Sequence, residues 1–157
     1  MPEPVVGKAA PDFTIATDSG EPFRLSAHRG GPVVLTFYSD GATEGCAVQN
    51  AEFTALMAEF KAAKATVIAI APQPVKVCEK MRAKHSLTHL LGADPDLKVL
   101  KAYGLWQQKK LWGHEYLGVV RTSVVVDAAG KVAAILPAKR IKGHALKVLE
   151  ATRALVG

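Results

Sequence analysis

Two cysteines and one arginine carry most of the chemistry available to these 157 residues. Cys46 follows Ser39-Asp40-Gly41-Ala42-Thr43-Glu44-Gly45 and precedes a long helical pattern, so it sits where a loop becomes a helix. Unsatisfied backbone N–H groups and the positive end of the helix dipole meet there, and both favour an anion. A thiol so placed has a lowered pKa and is partly thiolate near neutral pH, the ground state of a cysteine nucleophile. Cysteine is also a common small hydrophobe of protein cores, and position alone leaves the two readings level. Thr43, one helical turn earlier, can offer its hydroxyl to that thiolate or simply cap the helix. Arg121 opens a β-branched run and reads either as an always-charged partner for an anion or as a surface cation. Cys78 lies beside Val77 and above Met81 on one helical face, as a second thiol or as core. His85 and His89, with Cys78 at helical spacing, suggest zinc. Leu87 to Leu91, however, reads as passage into a strand, so the helix ends too early and no metal is expected.

The elements that must position these residues are legible as periodicities. Val33–Tyr38 is an apolar, β-branched run, a buried strand. Phe53, Leu56, Met57 and Phe60 fall on one face of the helix that follows. Thr66–Ala71 is a second apolar strand, which makes a βαβ unit with parallel strands and a right-handed crossover. Gln73-Pro74 starts the Cys78 helix and His85-Ser86 ends it. Leu90-Leu91 is a short strand, and a short helix through Leu97, Leu100 and Tyr103 closes at Gly104. Residues 12–25 suggest a hairpin ahead of all this, with Ser26 to Gly31 as a connection. Thr122–Asp127 and Lys131–Leu136 suggest a second hairpin, turned by Ala128-Ala129-Gly130. Leu105 to Val120 reads as a long surface loop. Its Trp106 and Trp112 either form an apolar surface for a partner or pack the loop on the core. His144 to Val156 is a last helix, with Leu149, Thr152, Leu155 and Val156 on one face. The order predicts an α/β, thioredoxin-like fold, a central mixed β-sheet flanked by helices, in a single domain over residues 1–157.

Composition narrows the classes. Apolar residues at 49% and charged ones at 22% are those of an ordinary globular protein. No apolar run approaches the ~20 residues of a membrane span, and Met1-Pro2-Glu3-Pro4 lacks the basic start of a secretory signal. Two distant cysteines without CxxC argue against a disulfide scaffold or a cysteine-rich zinc module, disfavour a thiol:disulfide oxidoreductase, and suit a reducing cytoplasm. The net charge of +6 is uneven: residues 1–75 hold five Lys/Arg against eight Asp/Glu, residues 76–157 fifteen against six. The excess is scattered and without a nucleic-acid motif, so solvated faces explain it better than a nucleic acid does.

The ordered motifs resemble one family. Gly7-Lys8-Ala9-Ala10-Pro11-Asp12-Phe13, Thr43-Glu44-Gly45-Cys46, Lys84-His85-Ser86-Leu87, Ala93-Asp94-Pro95-Asp96 and Gly113–Ser123, then Val126-Asp127 and Gly130-Lys131, look like the peroxiredoxins, specifically the peroxiredoxin Q or bacterioferritin-comigratory-protein branch. The resemblance implies a thiol peroxidase that reduces hydrogen peroxide and organic hydroperoxides. It makes Cys46 the peroxidatic cysteine, with Thr43 and Arg121 beside it. It makes Cys78 the resolving partner in an intramolecular disulfide, and thioredoxin or a similar thiol reductant the source of electrons. No cofactor or metal is expected, and the protein is expected to be a monomer or weak dimer. Three positions depart from the family pattern: Ser39 replaces its proline, Gln49 a common glutamate, and Ala51 one site of the resolving cysteine. The competing function is a redox-sensing or chaperone-like binding protein on the same fold, oxidised at Cys46 with little turnover.

Overall fold

The computed structural model describes residues 4–39 and 44–156, with side chains at all of these except 44–46, 111, 116 and 156. Its centre is the βαβ pattern. Strand β3 (Val33–Phe37) pairs in parallel with β4 (Thr66–Ala71), which pairs in parallel with β5 (Leu90–Ala93). β1 (Thr14–Thr17) and β2 (Phe23–Arg24) form the expected hairpin and add antiparallel to β5. A 3₁₀ turn, Leu25–His28, then leads into β3. On the other side of β3, β8 (Thr122–Val126) pairs antiparallel and carries β9 (Val132–Pro137) at the edge. The seven-stranded mixed sheet has the order β2-β1-β5-β4-β3-β8-β9. Every residue of β3 and β8 is buried, as strands covered on both faces require.

One face packs Val33, Leu35, Phe37, Ile68, Ile70 and Val124 against Val99, Leu100 and Tyr103 from the α4 region; α4 itself is Lys98–Ala102. The other face carries the remaining helices. Val34, Val67 and Val125 meet Phe53 of α1 (Glu44–Ala55), Phe60 of α2 (Met57–Ala62) and Ala145, Val148 and Leu149 of α5 (His144–Val156). Tyr38, Ala69, Ala71 and Leu91 meet Cys78 and Met81 of α3 (Val75–His85). Since β3 and β4 are parallel, α1 and α3 both start at the same end of the sheet, the C-terminal ends of these strands.

Three details differ from the sequence expectations. The helix after Cys46 is broken at Leu56, so α1 and α2 are separate. The inner face of α5 is Ala145, Val148, Leu149 and Thr152, while Leu155 is exposed. The region Leu105 to Val120 is no loop: β6 (Trp106–Leu111) and β7 (His114–Val119) form an antiparallel hairpin outside the main sheet. Its turn is Trp112-Gly113, both at positive φ (54 and 79°), as a two-residue type I′ turn demands. The tryptophans divide accordingly: Trp106 packs against the core, and Trp112 at the tip is 89% exposed. Among the described residues, no helix is long and apolar enough to cross a membrane.

Candidate active site

Cys46 is the third residue of α1, in its first turn and just beyond the end of β3. Its side chain, and the whole of Thr43, lie outside the described residues. The first buried side chain of α1 among those described is Gln49, one turn after Cys46. The Gln49 amide donates to Thr36 Oγ1 at 2.8 Å and, less closely, to the Phe37 carbonyl at 3.4 Å. Thr36 stands opposite Ser123 in the β3–β8 register, and the Ser123 hydroxyl donates to Thr36 Oγ1 at 2.9 Å. His144, which opens α5, lies 2.8 Å from Ser123 Oγ through its Nε2. Since the serine hydrogen is committed to Thr36, the neutral imidazole is the donor of that bond. Burial holds the His144 pKa below its usual value, with Glu52 opposing and Lys147 adding to the shift. A chain of polar side chains thus crosses the core from the first turns of α1 to the start of α5.

Arg121 precedes β8 and reaches back past the end of β3. Its Nη2 donates to Ser39 Oγ at 3.2 Å. Its Nη1 is buried and meets no hydrogen-bond acceptor among the described residues. A permanent cation therefore stands beside Ser39, seven residues before Cys46 in the chain. Ser39 occupies the family's proline position, and its hydroxyl gives the guanidinium an anchor that a proline ring does not have. The sequence offers Arg121 as a candidate, whereas Ser39 stands in it only as a departure from the resembled pattern.

Cys78 is a free, fully buried thiol on the inner face of α3, in the cluster that contains Tyr38. Burial, reinforced by the Asp18 carboxylate, pushes its pKa up to about 11. In folded α3 it is a thiol, not a thiolate. The helix starts at Pro74 without a side-chain cap. Its last turn is held firmly: Arg82 pairs with Asp18 through Nε and, at 3.0 Å, through Nη2, and donates to the carbonyls of Leu87 (2.6 Å) and His89 (2.8 Å). His89 is itself buried between Asn50 Oδ1, to which Nε2 donates at 2.8 Å, and Thr54 Oγ1, 2.9 Å from Nδ1. Both ring nitrogens are thereby engaged with α1, and His89 ties β5 to that helix. Among the described residues, no group of three or more His, Cys, Asp and Glu side chains could hold a metal ion.

The AhpC/TSA family matches residues 6–135. The chain belongs to that family. Peroxiredoxin Bcp of Bacillus subtilis is 30% identical over 92% of this chain and 92% of its own. A putative peroxiredoxin Bcp of Helicobacter pylori is 33% identical over 92% of this chain and 95% of its own. The bacterioferritin comigratory protein of Xanthomonas campestris, solved in a study of its alkyl peroxide reduction activity, superimposes with a TM-score of 0.90 at 26% identity, covering 98% of this chain and 100% of that one. BcpB of Mycobacterium tuberculosis gives 0.86 at 29%, covering 99% and 100%. The protein is thus a peroxiredoxin of the Bcp/PrxQ type, a class of thiol peroxidases, and its mixed sheet is that of the class. What sequence reading missed in this peroxiredoxin is the polar chain behind Cys46. Its one signal is Gln49, which departs from the glutamate common at that place in the resembled pattern.

Proposed function

We propose that Cys46 is the peroxidatic thiol, that Arg121 and Thr43 assist it, and that Cys78 resolves it, residues 1–157 acting as one catalytic unit. The observation that supports this reading is the Arg121 guanidinium, with one buried N–H unmet among the described residues, anchored on Ser39 five positions before the start of α1. That cation, with the helix dipole, favours the Cys46 thiolate. The thiolate attacks one peroxide oxygen: an S–O bond forms, the O–O bond breaks, and the departing alkoxide or hydroxide takes up a proton. The unmet N–H is a donor for that developing charge. Cys46 is left as a sulfenic acid.

Resolution requires α3 to open. Disulfide geometry brings the two Cα atoms within ~4.4–6.8 Å, which two intact helices rarely allow. Unwinding the first turns of α3 also moves Cys78 out of the core and returns its pKa from about 11 toward the ordinary 9.0, raising the thiolate fraction at neutral pH about a hundredfold. Attack on the Cys46 sulfur forms S–S and releases the sulfenic oxygen as water. Thioredoxin or a similar dithiol of the cytoplasm then supplies two electrons by exchange. Intact mass and peptide mapping after one equivalent of hydrogen peroxide test the cycle. A Cys46–Cys78 crosslink within one chain is expected. Peroxide consumption that survives Cys46→Ser would overturn the site, and a lasting sulfenic acid beside free Cys78 would overturn the resolving role.

A further inference from the structure

We propose that His144, acting through Ser123 and Thr36 on Gln49, is a positioning residue that sets how the first turn of α1 presents Cys46. The inference rests on Cys46 being the reacting thiol and adds a residue nearly a hundred positions away in the chain. Three bonds of 2.8, 2.9 and 2.8 Å join His144, Ser123, Thr36 and Gln49 without a gap. All four residues are buried, Gln49 at 1% exposure. Buried polar groups with apolar neighbours are held to one arrangement, because any other leaves a group unpaired. Gln49 is fastened only by its NH₂ half; its Oε1 is buried without a hydrogen-bond partner among the described residues. The amide's orientation is therefore set by Thr36 and the Phe37 carbonyl, and Thr36 is set by Ser123.

The neighbouring turn of α1 makes a second tie to the same place. Glu52 Oε1 accepts the Gly143 N–H at 2.9 Å, immediately before His144. The Phe53 ring meets the His144 ring edge-to-face at 6.3 Å. Helix α1 is thus registered on the start of α5 by one neutral chain from within and one carboxylate from outside. Near-attack geometry at the peroxide tolerates little error, and a shift of about 1 Å can cost on the order of a hundredfold in rate. A neutral amide at 49 also keeps a negative charge away from the Cys46 thiolate, where a carboxylate would oppose it.

The test compares Ser123→Ala, His144→Phe, the double variant, His144→Gln and Thr152→Val. Thr152 is a buried hydroxyl of α5 that, among the described residues, bonds back to Val148 O within its own helix, so it controls for general damage to that helix. Stopped-flow rates of Cys46 oxidation by hydrogen peroxide and the Cys46 thiol pKa from alkylation rates are read beside melting curves. Ser123→Ala and His144→Phe are each expected to slow oxidation about tenfold, and the double variant no further. His144→Gln, which keeps an N–H at the Nε2 place, is expected to recover most of the rate, and Thr152→Val to keep the parental rate even with a lowered melting point. Parental rates in both single variants, additive losses in the double, or a His144→Gln protein as slow as His144→Phe would overturn the proposal. Cys46→Ser separates the premises: residual peroxidase there refutes the Cys46 assignment, whereas an inactive Cys46→Ser beside fast Ser123→Ala refutes only the positioning role.

Discussion

His89 makes the stability of this fold depend on pH in a calculable way. The imidazole is buried between Asn50 and Thr54, and burial, with the Arg82 guanidinium near it, pushes its pKa from 6.5 down to about 4. At pH 8 the ring is neutral whether the chain is folded or not. At pH 5 the unfolded chain has taken up a proton on this ring and the folded one has not. The neutral ring's contribution is therefore complete above pH 6.5 and is lost as pH falls toward about 4. The difference between the two pKa values gives a loss of about 2 kcal/mol on going from pH 8 to pH 5. For a chain of this length that is a fall in Tm of roughly 4–8 °C. Urea unfolding of the parent and of His89→Gln at both pH values isolates the effect, since the amide does not titrate. The parent is expected to lose about 2 kcal/mol more than the variant. Equal losses would mean that His89 protonates in the folded state at its ordinary pKa, and that the buried Asn50–His89–Thr54 contact does not hold in solution.

Arg121→Lys keeps the charge but not the planar fork that spans Ser39 and the unmet N–H, so stopped-flow oxidation of Cys46 is expected to slow roughly 10- to 100-fold, and Arg121→Met to slow more. Rates like the parent's in both would make Arg121 a plain surface cation. Cys78→Ser is expected to leave the first oxidation unchanged and to accumulate sulfenic and then sulfinic acid at Cys46, read by mass; an unchanged product pattern would remove Cys78 from the cycle. Trp112→Asn creates Asn-Gly at the positive-φ turn of the β6–β7 hairpin and gives up little burial, so urea unfolding is expected to show a gain of about 1 kcal/mol. A loss would mean that Trp112 makes contacts worth more than its backbone strain.

How far the sequence reached can be seen element by element. The β3–α1–β4–α3–β5 core was legible because both main strands are unbroken apolar runs and Pro74 and Ser86 bracket α3 as sequence punctuation. The β8–β9 hairpin was legible from Asp127 to Gly130. The β6–β7 hairpin was not. It pairs only with itself, so Gln107, Gln108, Lys110 and Glu115 stay exposed and leave no alternation, and its turn begins with a tryptophan where asparagine is usual. For the proposed site, motif order offers Cys46 and Arg121 as candidates. It does not offer the chain Gln49–Thr36–Ser123–His144, because polar residues read as surface, and only tertiary pairing across α1, β3, β8 and α5 shows that these satisfy one another. Thr43 was named too and lies outside the described residues.

With Cys78 as the proposed resolving thiol, the uneven fastening of α3 would decide which thiol meets Cys46. The helix is free of side-chain capping at Pro74 and clamped at Arg82 by Asp18 and two carbonyls. The opening proposed for resolution would therefore start at the Pro74 end, and the strip released would be short and tethered at both sides. Cys78 on such a strip explores only a small volume, equivalent to a concentration on the order of millimolar. A thiol arriving from solution at micromolar levels loses that contest by about a thousandfold while the Arg82 clamp holds. Weakening the clamp with Asp18→Asn would lengthen the strip and dilute Cys78, so the β1–β2 turn, remote from Cys46 in sequence, would govern how private the proposed disulfide step is.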